Sequence, residues 1–144
     1  MITAVLDTNV LASGFVRPEP PPGQLLLAWR ARLYLLVISE PILAELTRTF
    51  EEPYFAQHLT PSQRANNIAL LRHEAIIAPL TSRVQGVATH PEDDFVLATA
   101  VSASAQYLVS GDRPLQKLGR YRGVSIVSPR QFLEVLNKQE AEGR

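Results

Sequence analysis

The 144-residue chain contains no cysteine, which excludes a disulfide framework and any thiolate metal site and suits a reducing cytoplasm. No apolar run approaches the roughly 18 residues that a bilayer-spanning helix needs, so no membrane association is expected. The first residues lack a charged stretch followed by a long apolar core, and a signal peptide is not expected either. No glycine-rich turn follows the first apolar run, which argues against a nucleotide-binding Rossmann domain. Internal repeats and low-complexity segments are absent. Two side chains are scarce in an informative way. Only four aspartates occur, Asp7, Asp93, Asp94 and Asp112, and only two of the 14 basic residues are lysine. The other 12 are arginine, the side chain better suited to bidentate phosphate contacts.

What is present describes an ordinary globular chain. Hydrophobic residues make up 46% and charged residues 19%, enough for one domain to bury a core. Short β-type runs alternate with helical ones. Residues 2–6, 34–39, "QYLVSGD" and "GVSIVS" read as strands, and "AIIAPL" with "VQGVA" as a weak strand and its connector. Between them, "RPEPPPG" is a loop whose last prolines can open the helix "QLLLAWRARL". Ser39 and Pro41 start "PILAELTRTFEE". Thr60 or Ser62 caps "SQRANNIALLRHEA". "PEDDFVLATAVSASA" is a helix with acids in its first turn. "RPLQKLG" is a short helix that Gly119 stops, and "PRQFLEVLNKQ" closes the chain. Strands separated by helices predict an α/β domain: three layers around a mostly parallel sheet. Trp29 and Phe50 are expected in its core.

Every aspartate falls beside an apolar run, unlike acids scattered over a solvated helix face. Asp7 ends the first strand, and Asp112 follows "YLVSG". In a parallel sheet both carboxylates emerge at the same edge, where ligands of such sheets bind. Glu45 lies early in the helix after the second strand and can point back to that edge. Asp93 and Asp94 open the helix that feeds the Asp112 strand. Two unit charges about 4 Å apart repel by roughly 4 kcal/mol at an effective dielectric near 20, so such a cluster calls for a counter-charge. Mg²⁺, or Mn²⁺ in its place, accepts carboxylates, water and phosphate oxygens together. A carboxylate set without cysteine or an organised histidine set points to phosphodiester hydrolysis rather than zinc chemistry. Should the four aspartates and Glu45 collect there, the remainder carries 14 basic against nine acidic side chains, so zero net charge would conceal two opposed fields.

With these residues in view, the sequence resembles the PIN-domain family, and within it the PIN ribonuclease toxins of prokaryotic toxin–antitoxin pairs. The matching pieces are "LDTNVL" at 6–11, "SEPILAEL" at 39–46, "PEDDFVLATA" at 91–100 and "YLVSGDRPL" at 107–115. "SPRQFLEVL" at 128–136 is similar to the C-terminal helix of one subgroup. The resemblance implies a single PIN-like α/β/α sandwich over 1–137, followed by a polar, disordered tail at 138–144. It implies a cytoplasmic, Mg²⁺- or Mn²⁺-dependent endoribonuclease with a small antitoxin partner and a homodimeric state. Asp7, Glu45 and Asp112 match three of the family's acids. Asp93 and Asp94 both compete for the remaining place, and both stay candidates as metal ligands and catalytic acids. Asn9 and Ser110 match supporting polar positions. His90 departs from the subgroup, which usually has another aspartate there, and reads as a loop or helix-entry residue; His58 and His73 read as structural or exposed.

Arg113, Lys117, Arg120 and Arg122 follow Asp112 closely and are the candidates for RNA phosphate contacts. Phe15 and Tyr121 are candidates for stacking an unpaired base. Two alternatives stand beside the toxin reading: a PIN-fold nuclease of RNA or DNA processing, and a non-catalytic interaction domain of the same fold.

Overall fold

The computed structural model describes residues 1–88 and 90–143. Its strands are β1 (Thr3–Leu6), β2 (Leu35–Ile38), β3 (Ile76–Ile77), β4 (Tyr107–Val109), β5 (Arg120–Tyr121) and β6 (Val124–Val127). They form one sheet in the order β3-β2-β1-β4-β6-β5. All neighbours are parallel except the edge pair β5–β6. The helices are α1 (Thr8–Val16), α2 (Pro21–Arg30), α3 (Glu40–Phe50), α4 (Pro53–His58), α5 (Pro61–Glu74), α6 (Pro91–Ser102), α7 (Arg113–Leu118) and α8 (Pro129–Glu142). This is the α/β class with a mostly parallel sheet that the alternation predicts. None of the described helices is long and apolar enough to cross a membrane.

The central strands are apolar without alternation because both faces are covered. Ala4, Val5, Leu6, Ile38, Leu108 and Val109 have no solvent exposure. Helix α6 lies against β1, β2 and β4. From α8, Phe132 packs its ring on Tyr34 at 5.1 Å and on Tyr107 at 5.3 Å. Trp29 and Phe50 are buried as expected.

Starts and stops follow sequence chemistry at most helices. Thr60 and Ser128 both form capping boxes, with Gln63 and Gln131, and each satisfies amides that have no partner in the first turn. Gly119 ends α7 at φ +67°, a conformation that suits glycine. Several features differ from the sequence reading, which also contains neither α4 nor β5. Residues 8–16 form α1, which their apolar run does not announce. The turn from α1 into α2 is close-packed: a Cβ at Gly23 would lie 1.9 Å from the Arg17 carbonyl. Ser39 sits at the start of α3 but makes no capping bond; its hydroxyl instead meets that of Thr99 at 2.7 Å in the core. Helix α8 runs on to Glu142, through much of the segment 138–144 expected to be a disordered tail; Arg144 of that segment lies outside the described residues.

The strand order sets where a ligand can sit. The chain builds outward from β1 through β2 to β3, then returns across β1 to lay down β4 on its other side. The carboxyl ends of β1 and β4 therefore diverge into loops running in opposite directions, the crevice where open parallel sheets bind ligands.

Candidate active site

At that crevice β1 runs directly into Asp7, and Asp112 lies three residues past the end of β4, at the start of α7. The Asp7 amide continues the ladder by donating to the Val109 carbonyl at 2.9 Å, so strand pairing itself fixes the residue. Asp7 also caps α1: one carboxylate oxygen accepts from the Val10 amide at 2.9 Å. Its other oxygen accepts a hydrogen bond from the Ser110 hydroxyl. The same hydroxyl oxygen accepts from the Asp112 amide at 3.0 Å, while Gln116 holds the Ser110 carbonyl at 2.7 Å. Asp112 in turn caps α7 through the Leu115 amide at 2.9 Å. Ser110, fully buried, thus locks the two aspartates into one unit.

Asp7 is only 5% exposed. Burial raises its pKa above the ordinary carboxylate value, and the charge of Asp112 adds to the rise. Hydrogen bonds from Ser110, Val10 and Gly111 oppose it. Among the described residues neither ion pair involves this carboxylate; Glu45 pairs with Arg48 and Glu40 with Arg72.

A cavity of about 560 Å³ opens over this unit, lined by Asp7, Asn9, Glu45, His90, Asp93 and Asp112 among others. Five of the sequence candidates therefore meet in one place: Asp7, Asn9, Glu45, Asp93 and Asp112. The two neighbouring acids on α6 diverge. Asp93 faces the cavity, whereas Asp94 turns inward to accept from the amides of Gly86 at 3.0 Å and Ala88 at 2.8 Å. Asp94 is a buried anchor for the loop that enters α6. The helix period separates adjacent residues by about 100°, so both cannot serve the same face.

Ser13, Thr49 and Glu52 are among the cavity residues that escape the sequence reading. Thr49 follows Glu45 at i+4 on α3, the spacing of one helix face, whereas Glu52 lies past the end of α3, at the cap of α4. Phe95 is a further surprise. It is 51% exposed and, with Arg48, walls a smaller groove that shares Thr8 and Glu45 with the acid cavity. By contrast Phe15 packs edge-on against Phe50 at 6.1 Å. Tyr121 lies under the Arg122 guanidinium at 5.1 Å.

Arg113, Lys117, Arg120 and Arg122 are exposed on α7, β5 and the β5–β6 turn, and none lines the acid cavity. Arg122 also donates to the Arg83 carbonyl at 3.2 Å. His58 bonds the Tyr54 carbonyl at 2.7 Å and His73 is exposed on α5, away from the site. His90 is the N-cap residue of α6, the helix-entry position the sequence gives it, and from there it also lines the cavity.

The donor set suits a hard divalent cation, being all carboxylate, with Asp7 buried and outside both ion pairs found among the described residues. Among the described residues no three acids or histidines are drawn together tightly enough to enclose an ion.

A family model described as "PIN domain" matches residues 3–114. No curated protein matches the chain. Among solved structures, a chain of VapBC2 from Rickettsia felis, crystallised bound to a DNA fragment from its promoter, superposes with a TM-score of 0.60. It is 16% identical, and the match covers 88% of this chain and 98% of that one. At that identity the likeness is one of fold.

Proposed function

The chain belongs to the PIN-domain family, and from that membership we propose that it is a metal-dependent endoribonuclease acting as the toxin of a toxin–antitoxin pair. The observation that carries the reading is the acid set at the β1–β4 crevice. Asp7 and Asp112 are locked by Ser110, and Glu45 and Asp93 line the same cavity. The likeness of fold to a chain of a VapBC2 assembly supports an antitoxin partner. A homodimeric state and a cytoplasmic location belong to the same reading.

Asp7, Asp93 and Asp112 would hold the ion, with Glu45 as a further ligand. A bound Mg²⁺ or Mn²⁺ supplies neutralising charge at the phosphate and acidifies a water. The residues of the chain do the rest. Ser110 holds the Asp7 carboxylate and the Asp112 backbone amide together, and the Leu115 amide holds the Asp112 carboxylate. Glu45, steadied by Arg48, accepts a hydrogen bond from the attacking water and orients it toward the phosphorus. Asn9 holds solvent at the cavity wall. Arg113, Lys117, Arg120 and Arg122 contact flanking phosphates outside the cavity, orienting the strand without reading its sequence. The exposed Phe95 ring, beside Arg48, stacks an unpaired base next to the scissile bond. Asp94 serves the fold and not the ion.

The deciding experiment is cleavage of a mixed single-stranded RNA pool by the purified protein in EDTA, Mg²⁺ or Mn²⁺, beside Asp7→Asn. Metal-dependent cutting that the variant loses is the expected result. No cutting under any metal, with Mn²⁺ affinity equal in the two proteins, would reduce the acid edge to a binding surface.

A further inference from the structure

The acid cavity has one lining residue whose chemistry the proposed mechanism does not use. Asp7, Glu45, Glu52, Asp93 and Asp112 give its walls five carboxylates. Among the described residues no arginine or lysine lines it, and His90 is its one basic side chain. Apart from the charge a bound ion supplies and the Arg48 partner of Glu45, a phosphodiester entering there faces carboxylates, and bringing it close is costly unless donors face it. His90 is such a donor. A carboxylate only accepts hydrogen bonds, whereas an imidazole always carries at least one N–H.

The backbone around His90 is held from both sides. Its carbonyl accepts from the Asp93 amide at 3.0 Å. The two oxygens of Asp94 grip the amides of Gly86 and Ala88 just before it. The imidazole itself makes no capping bond to α6, so the helix start does not consume it. The backbone that carries the imidazole is thus held at the cavity wall, which lowers the ordering cost of a contact made there.

We infer that the His90 imidazole donates a hydrogen bond to a phosphate oxygen of the bound RNA strand, as a substrate-binding residue of this site. The inference rests on the ribonuclease reading. It also gives Asp94 a second task, as the positioning residue that holds His90 where the strand passes.

The test uses the full chain in Mn²⁺ and three readouts: affinity for a labelled phosphorothioate RNA strand, KM and kcat for cleavage, and Mn²⁺ affinity without RNA. His90→Ala is expected to weaken strand affinity about tenfold, the effect of one hydrogen bond to a charged group. KM should rise with kcat little changed, and Mn²⁺ affinity should stay the same. His90→Gln, which keeps an N–H donor, should recover part of the loss. His73→Ala, on exposed α5, should match the wild type. Unchanged strand affinity in His90→Ala would overturn the inference. A fall in Mn²⁺ affinity would also overturn it, making His90 a metal ligand instead. Failure of the underlying reading looks different: the wild type itself would neither cut RNA nor bind the strand.

Discussion

Removing the charge of Asp7 should stabilise the metal-free protein while abolishing its response to metal. The carboxylate is 5% exposed and faces no cation in the ion pairs of the structure. Ionising a group in such surroundings costs several kcal/mol even after the protein relaxes. The hydrogen bonds from Val10 and Ser110 return about 1.5–3 kcal/mol each. Asparagine keeps the Val10 bond through its carbonyl oxygen. It loses an acceptor for the Ser110 hydroxyl, which must then compete for other partners. Weighing the removed desolvation cost against one lost charged bond leaves Asp7→Asn about 1 kcal/mol more stable, or roughly 3 °C in Tm for a chain of this size.

The sign with pH follows from the raised pKa of Asp7. A carboxyl whose folded-state value exceeds its ordinary 3.8 favours folding when protonated. That contribution is complete below the unfolded value and is lost as pH rises through the folded one. The advantage of the variant should therefore grow with rising pH and shrink toward acid. Thermal unfolding in EDTA at pH 5 and pH 8 reads both effects. Adding Mn²⁺ at about 100 times its Kd should stabilise the wild type by about 2.7 kcal/mol and the variant far less. A variant less stable than wild type in EDTA at pH 8 would refute the reasoning, as would an equal Mn²⁺ response in the two proteins.

The two acids of α6 should separate cleanly by substitution. Asp93→Asn should lose Mn²⁺ affinity with its Tm little changed, whereas Asp94→Ala should keep much of that affinity and lose about 2 kcal/mol of stability with its two amide bonds; calorimetry and thermal melts on both variants would expose a reversed pattern. The basic set should act through phosphate charge alone. Each of Arg113, Lys117, Arg120 and Arg122 changed to alanine should flatten the slope of log affinity against log salt by about 0.7 for single-stranded RNA, and titrations at several salt concentrations would show an unchanged slope if these side chains lie off the path.

Much of the site was legible because its residues obey one-dimensional rules. An acid at the end of an apolar run in a parallel sheet emerges at the ligand-binding edge wherever the strand lies, and Asp7 and Asp112 satisfy that rule independently. Glu45 follows from its place in the helix after β2. Helix starts at Thr60 and Ser128 are equally local, since a cap needs only a side chain and an amide three residues away. Helix α1 was harder to see, because residues 8–16 carry no polar–apolar period and are buried on several sides. Ser39 misled for a related reason: its cap geometry is local, but the Thr99 hydroxyl that claims its side chain comes from 60 residues further on.

The alternation of the main strands and helices, the α/β class and the placing of Asp7 and Asp112 at one sheet edge were thus determined by the sequence alone, because each depends on neighbours within a turn or a strand. The choice between Asp93 and Asp94, the joining of Asp7 to Asp112 through Ser110, and the arrival of His90 at the cavity were decided only by tertiary structure. Each turns on which way a side chain faces once distant segments pack. Gly86 and Ala88 had to fold back onto α6 before Asp94 had anything to hold, and β4 had to dock on β1 before Ser110 could reach Asp7.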